Sequence, residues 1–185
     1  DSNGQASFVI YDEVQQEVIY VAADITANGE SKDIRFDAEH LTLNGEPWQI
    51  NPENLVQIGD EVAFKDFDIS RNKQRVSLQT DDVANALLVN FNAFDLAALT
   101  SILNAEQDIA TGELNGKIRV EDIGELPAAT ANIQLNDLVL TDIKIGDLLL
   151  DVSNKGYDYY DLSLRLNGEN INTTLLGNYT INESE

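Results

Sequence analysis

The amino-acid sequence predicts an all-β protein of antiparallel strands, and three observations carry that prediction. Apolar and polar residues alternate with a period of two through most of the chain, as in strands with one dry and one wet face. Asn-Gly pairs recur at Asn3-Gly4, Asn28-Gly29, Asn44-Gly45, Asn115-Gly116 and Asn167-Gly168, the chemistry of turns that need positive φ. Only one short stretch changes to helical spacing. Many short strands separated by turn signals leave three architectures open: a sandwich, a barrel or an open meander.

Each element can be justified in chain order. Ile34, Phe36 and Ala38 alternate with Arg35 and Asp37, and Asn44-Gly45 sits between strand-like runs as a hairpin turn. Trp48 follows Pro47 on a regular strand, so an anchor at a sheet edge or rim is expected there before a sugar-stacking platform. Val62, Phe64 and Asp66 are placed on one face, with Ala63, Lys65 and Phe67 on the other. Val76 and Leu78 alternate with Arg75, Ser77 and Gln79.

A seam is placed near residues 81–90, because aromatic and charged residues are denser before it and Leu and Ile denser after it. Otherwise residues 1–185 read as a single segment. Phe94–Leu103 reads as helix: Phe94, Leu96, Leu99, Ile102 and Leu103 form an apolar stripe, and Asp95 offers an N-cap. Its expected role is a plug over the end of a sheet. Asn115-Gly116 lies inside a strand and predicts a bulge or a close backbone approach. A turn at Pro127 precedes further strands, and Leu162, Leu164 and Leu166 alternate with Ser163, Arg165 and Asn167 before the Asn167-Gly168 hairpin.

Composition narrows the function classes. Eleven Lys and Arg against 33 Asp and Glu give a net charge of −22. Such a field repels phosphate backbones and anionic headgroups, which argues against nucleic acid and direct membrane-surface binding. The 43% apolar content is enough for a folded core, so the acidity reads as a solvated outer face. With no Cys there is neither a disulfide framework nor a thiolate metal site. No apolar run approaches ~18 residues, so no helical membrane span is expected. A chain that starts at Asp1 and contains no Met is expected to be a piece of a longer or processed protein.

Catalysis needs a nucleophile with a base, or convergent titratable groups. The sole histidine, His40, has no Gly-x-Ser-x-Gly companion and reads as a surface residue beside a strand. Paired acids such as Asp66/Asp68, Asp81/Asp82 and Glu121/Asp122 arise by chance in a chain with 33 acids. None has the spacing of a calcium loop, and Gly112 and Gly116 lack the Lys-Ser/Thr of a phosphate loop. The expectation is a non-enzyme with no metal and no cofactor. Strands that each carry one greasy face point instead to a surface that holds something apolar.

Two stretches carry a family resemblance. Asn90-Phe91-Asn92-Ala93-Phe94-Asp95-Leu96 is similar to an "NF-x-x-F-D-L" lead into a short helix. Gly112-Glu113-Leu114-Asn115-Gly116-Lys117-Ile118-Arg119-Val120, Pro127 and Ala131-Asn132-Ile133-Gln134-Leu135 resemble a "G-x-L-x-G-x-[IV]-x-V … P-x-x-x-A-x-[IL]-x-L" pattern, and Ile145-Gly146-Asp147-Leu148 matches the strands that follow. These are patterns of TamB-like proteins of the Bacteroidota type, the translocation and assembly module subunit within the AsmA-like group. The upstream region, with Trp48-Gln49-Ile50 and Gln74-Arg75-Val76-Ser77-Leu78, resembles the same proteins, and the resemblance covers about 140 residues.

The resemblance implies elongated, curved antiparallel sheets forming an open, taco-shaped β-groove lined by apolar residues, with one short helix near 94–103. It implies a periplasmic protein, anchored in the inner membrane in its full length. The implied role is to shield and conduct phospholipid between the inner and outer membranes, with a part in outer-membrane protein assembly. The partners would be phospholipid acyl chains and an outer-membrane assembly protein met through parts outside residues 1–185. The groove lining would be Leu114, Ile118, Val120, Ile133, Leu135, Leu138, Leu140, Ile143, Ile145, Leu148, Leu150, Leu162, Leu164 and Leu166. About 15 strands at ~4.8 Å spacing would make a trough roughly 70 Å long, and its exposed edges would favour edge-strand self-association. The alternative is an extracytoplasmic β-sandwich that binds carbohydrate or protein, in which Trp48 and the acidic loops would matter.

Overall fold

A computed structural model describes residues 3–81, 85–100, 109–121, 128–154 and 159–180. They form fifteen strands and one short helix. The strands are β1 (Asn3–Tyr11), β2 (Glu17–Asn28), β3 (Ser31–Phe36), β4 (Leu41–Leu43), β5 (Glu46–Ile50), β6 (Leu55–Ile58), β7 (Val62–Lys65), β8 (Phe67–Arg71) and β9 (Gln74–Asp81). After them come β10 (Ala86–Asp95), the helix α1 (Leu96–Thr100), β11 (Ala110–Glu121), β12 (Ala128–Leu140), β13 (Ile143–Asn154), β14 (Tyr159–Asn167) and β15 (Asn172–Thr180).

All fifteen strands belong to one antiparallel sheet that does not close on itself. From β8 to β15 it is a plain meander in sequence order. The remaining path runs β8-β5-β4-β2-β3-β6-β7, with β1 added to the free side of β2. One sheet, not two stacked ones, is the architecture that forms. β9 and β10, on either side of residues 82–84, pair from Asp81 opposite Ala86 to Arg75 opposite Asn92.

Turn chemistry explains most of the connections. Asn44 and Gly45 both take left-handed φ, 53° and 69°, the two-residue hairpin that matches strand twist. Gly29 does the same between β2 and β3 at φ 66°. Asn3-Gly4 makes no turn: it opens β1, with Asn3 opposite Thr26 and Gly4 opposite Ile25. Asn115-Gly116 satisfies both halves of its expectation. Gly116 has φ 134°, and a Cβ there would run into the Asn132 carbonyl oxygen. Across from it β10 bulges at Asn92-Ala93, where the Ala93 N–H donates to Asn115 Oδ1 at 2.8 Å.

Two expectations need correction. Strict alternation through Val62–Phe67 fails because Asp66 adopts φ 49°, which ends β7 and restarts the chain in β8. The helix starts later than its apolar stripe suggests: Phe94 and Asp95 finish β10, and the described helical residues are Leu96–Thr100. Asp95 does cap it, accepting a hydrogen bond from the Ala97 N–H at 3.0 Å. Ile102 and Leu103 lie outside the described residues.

The core lies where the first half of the sheet rolls over. Trp48 and Phe94 meet at 5.1 Å between ring centroids, although β8 and β9 separate their strands. On a flat sheet strands three places apart lie about 14 Å from each other, so the face carrying these rings is concave. Phe36 and Phe67 also meet, at 5.4 Å. The Phe64 N–H of β7 donates to Thr80 Oγ1 of β9 at 2.9 Å, which ties the far end of the path back to the meander. Leu41, Leu43, Ile50, Val76, Ala98, Leu114 and Ile133 complete the cluster around Trp48 and Phe94. Trp48 is buried, with its Nε1–H donating to the Leu43 carbonyl, so it is neither a rim anchor nor an exposed stacking platform.

Candidate functional site

The candidate site is the dry face of the meander, and the pairing register builds it. Residues directly opposite in antiparallel strands share a face. Val76 stands opposite Phe91 and Leu78 opposite Val89. Val89 stands opposite Ile118 and Leu87 opposite Val120. Ile118 then faces Ala131, and Leu114 faces Leu135. Ile133 and Leu135 meet Leu150 and Leu148. Those in turn meet Leu164 and Leu166, with Leu162 opposite Val152, and Leu164 reaches Leu175 on β15. From β9 to β15 this face carries no charge at its regularly paired positions.

The opposite face is wet. One row across it reads Ser77, Asn90, Lys117, Asn132, Asp151 and Ser163. Its members hydrogen-bond along the row, as when Asn132 Nδ2 donates to Asp151 Oδ1 at 2.5 Å. Ion pairs sit there as well: Arg75 with Asp68 at 2.5 Å and Arg119 with Glu121 at 2.6 Å. These charges lie on the side away from the proposed lining, a side that also carries Leu88, Leu149 and Leu176.

Ten of the fourteen residues read from sequence as lining fall on the dry face at regular positions: Leu114, Ile118, Val120, Ile133, Leu135, Leu148, Leu150, Leu162, Leu164 and Leu166. Leu138 is buried beyond the irregularity at Asn136-Asp137, opposite Gly146. Ile145 is half-buried just before the same Gly146. Leu140 and Ile143 stand opposite each other at the β12–β13 turn and are 39% and 63% exposed. That turn is made by Thr141 and Asp142 at φ 44° and 69°, without the glycine that would have marked it. The sequence reading stopped short at both ends of the face. It left out Leu87, Val89 and Phe91 upstream, where Ala86-Leu87-Leu88-Val89 hides the alternation, and Leu175 and Tyr179 downstream.

Cover over the face thins along the chain. Leu114 and Ile133 are buried in the core cluster, and Ile118, Leu135 and Leu150 pack against it. Leu148, Leu162, Leu164 and Leu166 are half-buried. On β15 every residue is exposed, Leu175 at 63% and Tyr179 at 59%.

His40 lies elsewhere, beside β4. Its ring stacks on Tyr20 at 3.8 Å, and its Nε2 sits 2.9 Å from Glu17 Oε1. The Thr42 hydroxyl donates to the same Glu17 oxygen. A relay from hydroxyl through imidazole to acid uses both ring nitrogens, whereas here Glu17 and Thr42 converge on one side of the ring. The cluster ties β2 to β4. Among the described residues no three His, Asp or Glu side chains gather as metal ligands, and no described helix is long and apolar enough to cross a membrane.

Fold and face together define a class: an all-β protein on one open antiparallel sheet, with a single uncharged apolar face. Comparison of the chain with family models, with curated proteins and with solved structures gives no match.

Proposed function

We propose that this chain is a section of a periplasmic apolar β-groove that shields phospholipid acyl chains and conducts phospholipid between the inner and outer membranes. A part in outer-membrane protein assembly belongs to the same reading, which rests on the TamB-like resemblance of residues 90–150. The observation that carries it is the dry face of β13–β15, where a register-matched set of leucines runs out from the buried core toward solvent. An acyl chain gains about 0.8 kcal/mol for each CH₂ it buries. Many equivalent leucine positions offer that gain repeatedly, so a chain can be held without being trapped at one point. The wet face, with its acids and amides, stays in water.

A photo-crosslinking residue at Leu164 in cells tests this directly. Capture of phospholipid at Leu164, with none at Arg165 on the opposite face, is the expected result. Equal labelling at both positions, or at neither, would overturn the assignment. Leu164→Asp should leave the protein folded and abolish capture at Leu148, because a carboxylate costs several kcal/mol in an apolar channel or brings water into it. The carbohydrate reading loses its stacking platform, since Trp48 is only 5% exposed.

A further inference from the structure

Five Asn-Gly pairs punctuate the chain, and the fold treats them differently. An asparagine followed by glycine can lose its side-chain amide without an enzyme. The glycine main-chain nitrogen bonds to the asparagine Cγ, and the bond from Cγ to the side-chain nitrogen breaks. The proton of the attacking nitrogen passes through solvent to the departing one, and ammonia leaves. Water then opens the five-membered imide to aspartate or isoaspartate. Glycine favours the attack because it has no Cβ to hinder it. In a folded chain two conditions govern the step: the nitrogen must be free to turn toward Cγ, and it must shed its proton.

Four of the pairs fail the first condition. The Gly45 N–H donates to the Val18 carbonyl at 2.8 Å, and the Gly168 N–H to the Ile171 carbonyl at 2.9 Å. Asn115 is held at both ends of its amide. Its Oδ1 accepts from the Ala93 N–H at 2.8 Å, and its Nδ2 donates to Glu113 at 2.9 Å. Gly116 beside it is paired with Phe91 on one side and Ile133 on the other. Gly4 is paired opposite Ile25, where the ladder resists the main-chain rotation that attack requires.

Asn28-Gly29 meets both conditions. Asn28 is the last residue of β2, opposite Ser31, and Gly29 opens the two-residue loop at φ 66°. Both are exposed, and a Cβ on Gly29 would meet nothing within 4 Å. Among the described residues neither the Asn28 side-chain amide nor the Gly29 N–H has a hydrogen-bond partner. The second condition is supplied by Ser31, whose hydroxyl donates to the Asn28 main-chain carbonyl at 2.9 Å. That oxygen and the Gly29 nitrogen belong to one conjugated peptide group, so the charge left on deprotonation is shared between them. A donor aimed at the charged form stabilises it.

We propose that Asn28 is a site of spontaneous deamidation promoted by the Ser31 hydroxyl, and that the fold protects the other four pairs. The product adds one negative charge to a chain already at −22. Isoaspartate also adds a carbon to the main chain at the end of β2, beside a hairpin turn whose geometry depends on its length. The site rests on hairpin chemistry and holds whether or not the dry face carries lipid.

Incubation of the 185-residue chain in mildly alkaline buffer, followed by peptide mapping with mass spectrometry, tests the assignment. Isoaspartate is detected by methyltransferase labelling. Asn28 should convert several-fold faster than any other Asn-Gly pair, and in concentrated urea the five rates should converge. Ser31→Ala should slow Asn28 several-fold in the folded chain only, leave Asn44, Asn115 and Asn167 at their wild-type rates, and be rescued by Ser31→Thr. Another pair that keeps pace with Asn28 in the folded chain would overturn selection by the fold. So would a preference for Asn28 that persists in urea. A Ser31→Ala chain that converts at or above the wild-type rate would overturn the part given to the hydroxyl.

Discussion

The rolled region of the sheet, β2–β10 with α1, and the open region, β13–β15, follow the same alternation and reach opposite ends. In the rolled region the dry residues meet each other: Trp48 touches Phe94, Phe36 touches Phe67, and Phe94 is fully buried. In the open region they meet nothing as complete, and exposure climbs from Leu150 to Leu175. Strand length is part of the cause. The rolled region uses strands as short as three to five residues, broken by Asp66 and by the β4–β5 turn, and short strands can change direction. Strands of nine to thirteen residues, paired end to end from β11 onward, hold the sheet to a regular meander. Apolar alternation marks which face is dry; breaks in the strands decide whether that face is filled.

Phe94→Ala should sharpen this contrast most. Removing a fully buried phenyl ring costs about 3–5 kcal/mol, whereas Leu175→Ala on the open face should cost under about 0.5 kcal/mol; urea unfolding of the two variants compares them. Equal losses would mean that β15 is covered in solution.

Asn54→Ala ranks next. The side chain is fully buried and acts as a piece of strand, accepting from the Phe36 N–H at 2.8 Å and donating to the Phe36 carbonyl at 3.0 Å. Each backbone group left unpartnered costs about 1–3 kcal/mol, so the rolled region should loosen first. Amide exchange at Phe36 faster than at Leu164 in this variant is the expected readout.

Gly116→Ala probes the strand that joins the two regions. The φ of 134° and the oncoming Asn132 carbonyl make an added methyl cost about 1–3 kcal/mol in strain. Gly4→Ala, where nothing lies within 4 Å, should be close to neutral in the same melt.

The smallest effect belongs to the wet face. Arg75→Ala breaks the pair with Asp68, whose Arg side chain is 63% exposed, and should cost under about 1 kcal/mol. The loss should shrink further at 0.5 M salt, while the Phe94→Ala deficit should not.

Legibility from sequence followed the locality of each interaction. Asn44-Gly45, the Asp95 cap and the close approach at Gly116 depend on residues a few positions apart or on glycine's own conformational range, so they could be read directly. The Thr141-Asp142 turn could not, because two non-glycine residues at positive φ leave no compositional mark. The burial of Trp48, where the sequence predicts a rim, depends on Phe94, forty-six positions later and two intervening strands away in the sheet. Most of the proposed lining was legible because register in a meander follows from period-two patterning. Leu140 and Ile143 show its limit, since irregularities at Asp137 and Gly146 break the period on either side of them.

By itself the sequence determined the all-β class, the antiparallel pairing of neighbours, one dry face per strand and a wet face rich in acid. These are consequences of alternation and turn chemistry, which act over a few residues. Only the tertiary structure decided that the strands join in one unclosed sheet, that its first half rolls over Trp48 and Phe94, and that the dry face of β13–β15 stays open. Those outcomes depend on which distant strands pair and where the sheet bends. Pairing β5 with β8 and tying β7 back to β9 are choices among many sequence-compatible arrangements, settled by burying the aromatic core and not by any local signal.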